Sequence, residues 1–353
     1  MNTQKRWTLS YLPGAQAVER LSARLPMRLY VKRLSLVTAA CMFFLYASGV
    51  LVTTTHSGHG CGESWPLCRG KFVPDFAIST AIEYGHRVTS ALVTFLVLGL
   101  AAGIWAYWRS RLELRILAPV MLVTLFLEIP LGALLALANP SPVILAIHFG
   151  TSLILFASIY LAALLLYELD GWDALRDRPA PPRFRALAIG LLALTYLAGY
   201  LGAYLRFRGV ELACNSWPLC NGAVIPDLGQ GRGVVLAHRL TALLLVAGTA
   251  ALFVWARRLR GVRPDLYRGS LWALVLVLAQ AAEGAIIVGT KASSYSDMAH
   301  AGLVILLFGM LCYVSLHALP RPANALAETS STTTAESGAV GAGAAQPAAA
   351  GQS

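Results

Sequence analysis

Four histidines and four cysteines are the residues of this chain best suited to chemistry. The cysteines bracket two short polar loops, CGESWPLC from Cys61 to Cys68 and CNSWPLC from Cys214 to Cys220. The histidines lie in apolar stretches, and His86 and His148 recur 152 residues later as His238 and His300. Two imidazoles at matching depth on neighbouring helices can approach one metal from opposite sides, which is the bis-histidine ligation of a haem iron in a bundle core. A lone intramembrane histidine could equally hydrogen-bond a neighbouring helix, but four at one strict spacing favour ligation. Arg87 and Arg239 follow His86 and His238 directly. A guanidinium there could grip a haem propionate bidentately or merely snorkel to the interface. The remaining His56, His59 and His317 have no counterparts in the repeat and are expected to be solvated.

The elements that carry these residues must be membrane helices. The 353 residues are 57% hydrophobic and 13% charged, with a mean hydropathy of +0.63, well outside soluble globular composition. Apolar runs long enough to cross a bilayer fall near 34–54, 81–107, 117–138, 143–167, 186–206, 233–256, 269–290 and 298–319. Basic residues crowd the N-terminal segment and the loops after spans two, four and six, so both termini are expected on the cytoplasmic side and the cysteine loops on the outer face. The net charge of +11 follows from that bias and suits an anionic inner leaflet rather than nucleic acid. Span one is expected to act as its own anchor, and 320–353, low in complexity, as a disordered cytoplasmic tail.

Sliding the sequence along itself aligns Trp65, Pro66, Cys68, Pro74, Asp75, His86, Arg87, Thr89, Gly132 and His148 with residues 152 positions on, and Gly49 and Cys61 with Gly202 and Cys214 at 153. The chain therefore reads as an all-α polytopic membrane protein of eight helices in two tandem four-helix bundles. An even number of spans per copy gives both copies one orientation and a pseudo-twofold axis along the membrane normal. The expected divisions are a cytoplasmic segment 1–33, a first half 34–167, a linker 168–185, a second half 186–319 and the tail. On the oxidising outer face Cys61–Cys68 and Cys214–Cys220 are expected as disulfides. Free thiols or zinc are the other readings, and zinc would lack its usual partner ligands. Cys41 and Cys312 sit inside spans as small apolar residues.

HSGHGCGESWPLCRG leading into IEYGHRVTS, with CNSWPLCNG leading into LAHRLTA, resembles the haem A synthase family, in its bacterial form with a cysteine pair in each outer loop. The resemblance spans about 34–319. It implies oxidation of the C8 methyl of haem O to the formyl group of haem A for terminal oxidases, with haem b as cofactor. It further implies that His238 and His300 ligate haem b while His86 and His148 address the iron of the haem O substrate. Haem O synthase, the protohaem farnesyltransferase, is the implied partner, and a homo-oligomer is compatible.

Against that background the difference between the halves matters. Glu83 lies three residues before His86 on the same helical face, and its counterpart is Val235. Methyl-to-aldehyde oxidation runs through an alcohol and a gem-diol and needs protons removed, a task for a carboxylate beside the reacting carbon. Water is the expected oxygen source. Two axial histidines would fill the iron, so either one moves or the haem edge is oxidised by electron removal and addition of water. Glu128, opposite Gln280 in the repeat, and Glu283, opposite Leu131, are intramembrane carboxyls, candidates by their cost alone and equally readable as hydrogen-bonded structural groups. A bis-histidine electron-transfer cytochrome would explain the histidines but not Glu83 or the loops. A disulfide-exchange protein would leave the histidines idle. A transporter would rest on the parallel repeat alone.

Overall fold

The computed structural model describes residues 13–138 and 141–320; the expected disordered tail falls almost wholly outside them. The described chain forms helices α1 (Pro13–Thr54), α2 (Ile78–Trp108), α3 (Leu112–Leu137), α4 (Pro142–Arg176), α5 (Pro182–Arg208), α6 (Arg232–Leu259), α7 (Pro264–Gly289) and α8 (Ser294–Ala318). All eight are long and apolar enough to cross a membrane. The protein is thus an all-α multi-pass membrane protein, in which each span satisfies its own backbone hydrogen bonds where no water can.

The helices outrun the apolar runs that mark them. α1 begins at Pro13, inside the segment expected to precede the first span, and α4 runs to Arg176, into the expected linker. Hydropathy locates where a helix meets lipid, whereas backbone bonding continues until something breaks it. Here the breakers are Pro179, Pro181 and Pro182, and Pro182 then opens α5, a position where the missing N–H costs nothing. Gly209 ends α5 in the left-handed region at φ 64°, where a residue without Cβ is unstrained.

α1 packs on α2 and α4, with α3 between α2 and α4; α5 to α8 close a second ring in the same order. The rings meet through α1 with α8, α4 with α5, and α4 with α8. In α4 72% of the most apolar window is buried, and in α8 44%, against 11–28% in the other six. These two are the interior helices, and residues such as Phe44, Leu127 and Leu243 on the others face outward, as lipid-facing side chains do. The two cores interlock. Ile305 and Phe308 of α8 are buried with Val97, Ile104 and Ile159 of the first half, while Leu161 of α4 is buried with Phe184, Leu252 and Leu266 of the second.

His317 corrects an expectation. It is fully buried, at the end of the bundle opposite the cysteine loops. Its Nδ1 lies 2.8 Å from Asp265 and its Nε2 3.2 Å from Glu168, with Trp172 and Tyr313 against the ring. Arg263 donates to Asp265 at 2.7 Å and to the carbonyls of His317 and Arg178 at 2.6 and 2.8 Å. A polar group so buried needs partners, and these come from α4 and α7, distant in sequence and invisible to its spacing.

Candidate functional site

Both cysteine pairs are joined, Cys61 to Cys68 and Cys214 to Cys220, each with Cα atoms 4.6 Å apart. Each loop returns on itself through the same bridge, Cys68 with Lys71 and Cys220 with Ala223. Beyond them Asp75 is held below the usual carboxylate range by the Lys71 ammonium 2.7 Å away. Asp227 is held below it by the Gly229 backbone N–H and by Arg232.

Each loop is tied down from beneath by the arginine that follows a histidine. Arg87 Nη1 donates to the Ser64 and Leu67 carbonyls at 2.7 and 3.1 Å. Arg239 donates to the carbonyls of Pro218, Leu219 and Cys214 at 3.1, 3.2 and 3.2 Å. Of the five N–H donors a guanidinium carries, these contacts leave some for a propionate.

The position one turn outward from the histidine differs between halves. Glu83 is 4% exposed. Its Oε2 accepts the Cys61 backbone N–H at 2.8 Å, and its Oε1 accepts from Arg87 at 2.5 Å. Val235 instead packs with Leu205, Cys214 and Cys220.

His86 and His148 line one cavity of about 890 Å³, to which Glu83, Glu128 and, from α5 of the other half, Arg206 and Phe207 also contribute. That volume suits a cofactor-sized ligand. The His86 Nδ1 lies 2.8 Å from the Ser48 hydroxyl. The His148 Nδ1 lies 3.0 Å from Glu128 Oε2, close but short of hydrogen-bond alignment, and the same Oε2 accepts from the Ser152 hydroxyl at 2.7 Å. Glu283 is half-buried on α7. His56 and His59 are exposed, as expected, yet both line the cavity.

In the second half the rings of His238 and His300 have centroids 6.5 Å apart. Two imidazoles on one metal, each bonded at about 2 Å with roughly 1 Å more to the ring centre, would stand roughly 6 Å apart, so the pair is spaced for an ion between them. Among the described residues no group of three or more His, Cys, Asp or Glu side chains converges to hold a metal; a porphyrin supplies the other four ligands itself. The matched glycines make room for the rings. A Cβ on Gly202 would lie 3.1 Å from the His238 ring and one on Gly49 3.2 Å from the His86 ring, tighter than ordinary contact, while Gly132 and Gly284 back His148 and His300.

Sequence reasoning missed Ser48, Ser152, Arg206 and Phe207. The two serines left a signal, since their repeat counterparts are the apolar Leu201 and Val304. Arg206 and Phe207 left none, because they reach the cavity across the junction between halves.

Residues 32–312 match the family model described as cytochrome oxidase assembly protein, COX15-CtaA. The chain is 37% identical over 294 residues to a heme A synthase of Symbiobacterium thermophilum, covering 82% of this chain and 96% of that protein. It is 37% identical over 294 residues to one of Geobacillus kaustophilus, covering 83% and 93%. With one of Bacillus licheniformis it shares 37% over 289 residues, covering 81% and 95%.

Proposed function

Because the chain belongs to the COX15-CtaA family of cytochrome oxidase assembly proteins, we propose that it is a haem A synthase, an oxidoreductase that converts the C8 methyl group of haem O to the formyl group of haem A. The observation that carries the reading is the cavity of the first half, which gathers two histidines and the buried Glu83 in one place. Haem O is read as its occupant, with His86 and His148 addressing the iron. The second half is read as the seat of haem b, ligated by His238 and His300, whose spacing fits one iron. When bound there, haem b supplies one-electron transfer. The contacts of α1 with α8 and of α4 with α5 exchange under the repeat, which supports a pseudo-twofold relation between the halves.

Each oxidation adds a water-derived hydroxyl to the methyl carbon and releases two protons and two electrons, the electrons going to a one-electron acceptor outside the chain, and the gem-diol formed by the second oxidation loses water to leave the formyl group. Glu83 is the base in this reading, accepting a proton as the carbon is oxidised or orienting the attacking water. Arg87 is held to Glu83 and to the loop carbonyls, so it positions the carboxylate and keeps donors for a propionate; Arg239, held to its own loop carbonyls, keeps donors for a propionate of the second haem. The disulfide loops lie on the outer face, both termini are cytoplasmic, and the enzyme that farnesylates protohaem to haem O is the partner that would deliver the substrate. A bis-histidine electron-transfer cytochrome has no use for a buried carboxylate under one loop only.

The test is extraction of haems from the purified full-length protein and from membranes that express it. Haem O or haem A beside haem b, with haem A accumulating in the membranes, is the expected result. Two equivalents of haem b with no haem A formed would overturn the reading in favour of the cytochrome.

A further inference from the structure

The two histidines that face the substrate cavity are not supported alike. The Ser48 hydroxyl lies 2.7 Å from the Leu45 carbonyl and 2.8 Å from His86 Nδ1; when its one proton goes to Leu45, it offers His86 Nδ1–H the lone pair of a neutral oxygen, a weaker acceptor than a carboxylate. His148 Nδ1 faces Glu128 Oε2, a carboxyl oxygen that already accepts from Ser152, while Glu128 Oε1 is buried without a hydrogen-bond partner among the described residues. The 3.0 Å approach is not aligned as a hydrogen bond; once the imidazole turns to align it, the His148 proton sits on Nδ1 and the Nε2 lone pair is left for a metal. Carboxyl partners of ligating histidines fix the tautomer and raise ligand basicity.

The arrangement belongs to this half alone. The counterparts of Ser48, Glu128 and Ser152 are Leu201, Gln280 and Val304, so the second half has an amide and an apolar residue where the first half sets a carboxyl 3.0 Å from the histidine and the serine that donates to it. The repeated fold therefore places its histidines without a carboxyl behind them, so holding the helices together does not account for Glu128. Intramembrane carboxyls are costly unless they serve a function.

We propose that Glu128 is a positioning residue for the substrate haem. With Ser152 it holds His148 in the tautomer that presents Nε2 to the iron and makes His148 the firmer of the two first-half ligands, so that His86 is the ligand displaced when a position on the iron opens. This rests on the reading that His86 and His148 address the substrate iron.

Carbon monoxide is the probe, added to dithionite-reduced full-length protein reconstituted with haem O and read by resonance Raman. It takes the place of the weaker ligand, and the Fe–CO stretch reports the ligand that remains. The His86→Ala variant is expected to give the Fe–CO frequency of the parent, and His148→Ala a different one. Glu128→Gln should keep the haem and raise the Fe–CO frequency, and Ser152→Ala should shift it the same way by less. The haem spectrum of the second half serves as the folding control in every variant. A parental Fe–CO frequency in both Glu128→Gln and Ser152→Ala overturns the inference, as does a parental frequency in His148→Ala in place of His86→Ala. If the parent takes up no haem O in the first half, it is the reading of the site that fails instead.

Discussion

Beneath the first cysteine loop a buried carboxylate binds the Cys61 backbone and Arg87; beneath the second, Val235 packs against the Cys214–Cys220 disulfide. Both loops close with the same bridge and the same arginine underneath. A charged hydrogen-bonded support and an apolar one therefore hold the same shape. The lesson is that the fold does not require Glu83. An apolar residue at that position avoids the desolvation cost of a buried charge, so the retained carboxylate points to chemistry.

The strongest way to break this comparison is through the histidines. His238→Ala or His300→Ala should remove the second-half haem b spectrum completely while the protein still inserts, and His86→Ala should leave it intact; optical spectra of the purified variants decide, and haem b retained with full low-spin bis-histidine character in both second-half variants would reverse the assignment. Next comes Glu83→Gln, which keeps the shape but removes the base. Haem A yield, normalised to protein level, should fall by about 10²- to 10⁴-fold with haem b unchanged, and Glu83→Asp should fall between. Near-parental haem A would reduce Glu83 to a loop support, the ion-paired equivalent of Val235.

A smaller effect is expected at the disulfides. Each closes a short loop, and loss of a bridge of this kind costs about 2 to 4 kcal/mol, yet Cys61→Ala should lower haem A formation more than Cys214→Ala, because only the first loop rests on Glu83. Equal activity of Cys61→Ala and the parent would separate loop from chemistry. The smallest effect concerns Asp75 and Asp227. Both carboxyls are held low in the folded protein, so whatever they contribute is present above the ordinary carboxylate pKa and is lost as pH falls through the lowered folded value. Both are fully exposed, and Lys71→Met should return the Asp75 titration, followed by carboxyl NMR, to the ordinary range without changing haem A yield near neutral pH.

The fold was legible because lipid imposes it. Eight apolar runs and a repeat at an offset of 152 to 153 residues give the helices and their grouping into halves, and the same repeat singled out the four histidines, both cysteine pairs and Glu83. The matched glycines were visible as a pattern, but their use, clearing space for imidazole rings on a neighbouring helix, needs packing to be seen. What stayed hidden depends on contacts between residues far apart in the chain. His317 looked solvated because nothing near it in sequence reveals Asp265 and Glu168, and Arg206 reached the first-half cavity from a half that the repeat had set apart.

The interlocked cores bear on how the protein is made. Ile305 and Phe308 of α8 share a buried core with residues of α1 and α4, on which α8 packs, and α8 is the last of the described helices to leave the ribosome. The first half, although translated first, must wait in the bilayer with a gap in its interior until α8 has followed it. Truncations that remove α8 should therefore damage the substrate half as well as their own, and the two halves, although copies, should not assemble as independent products of a split gene.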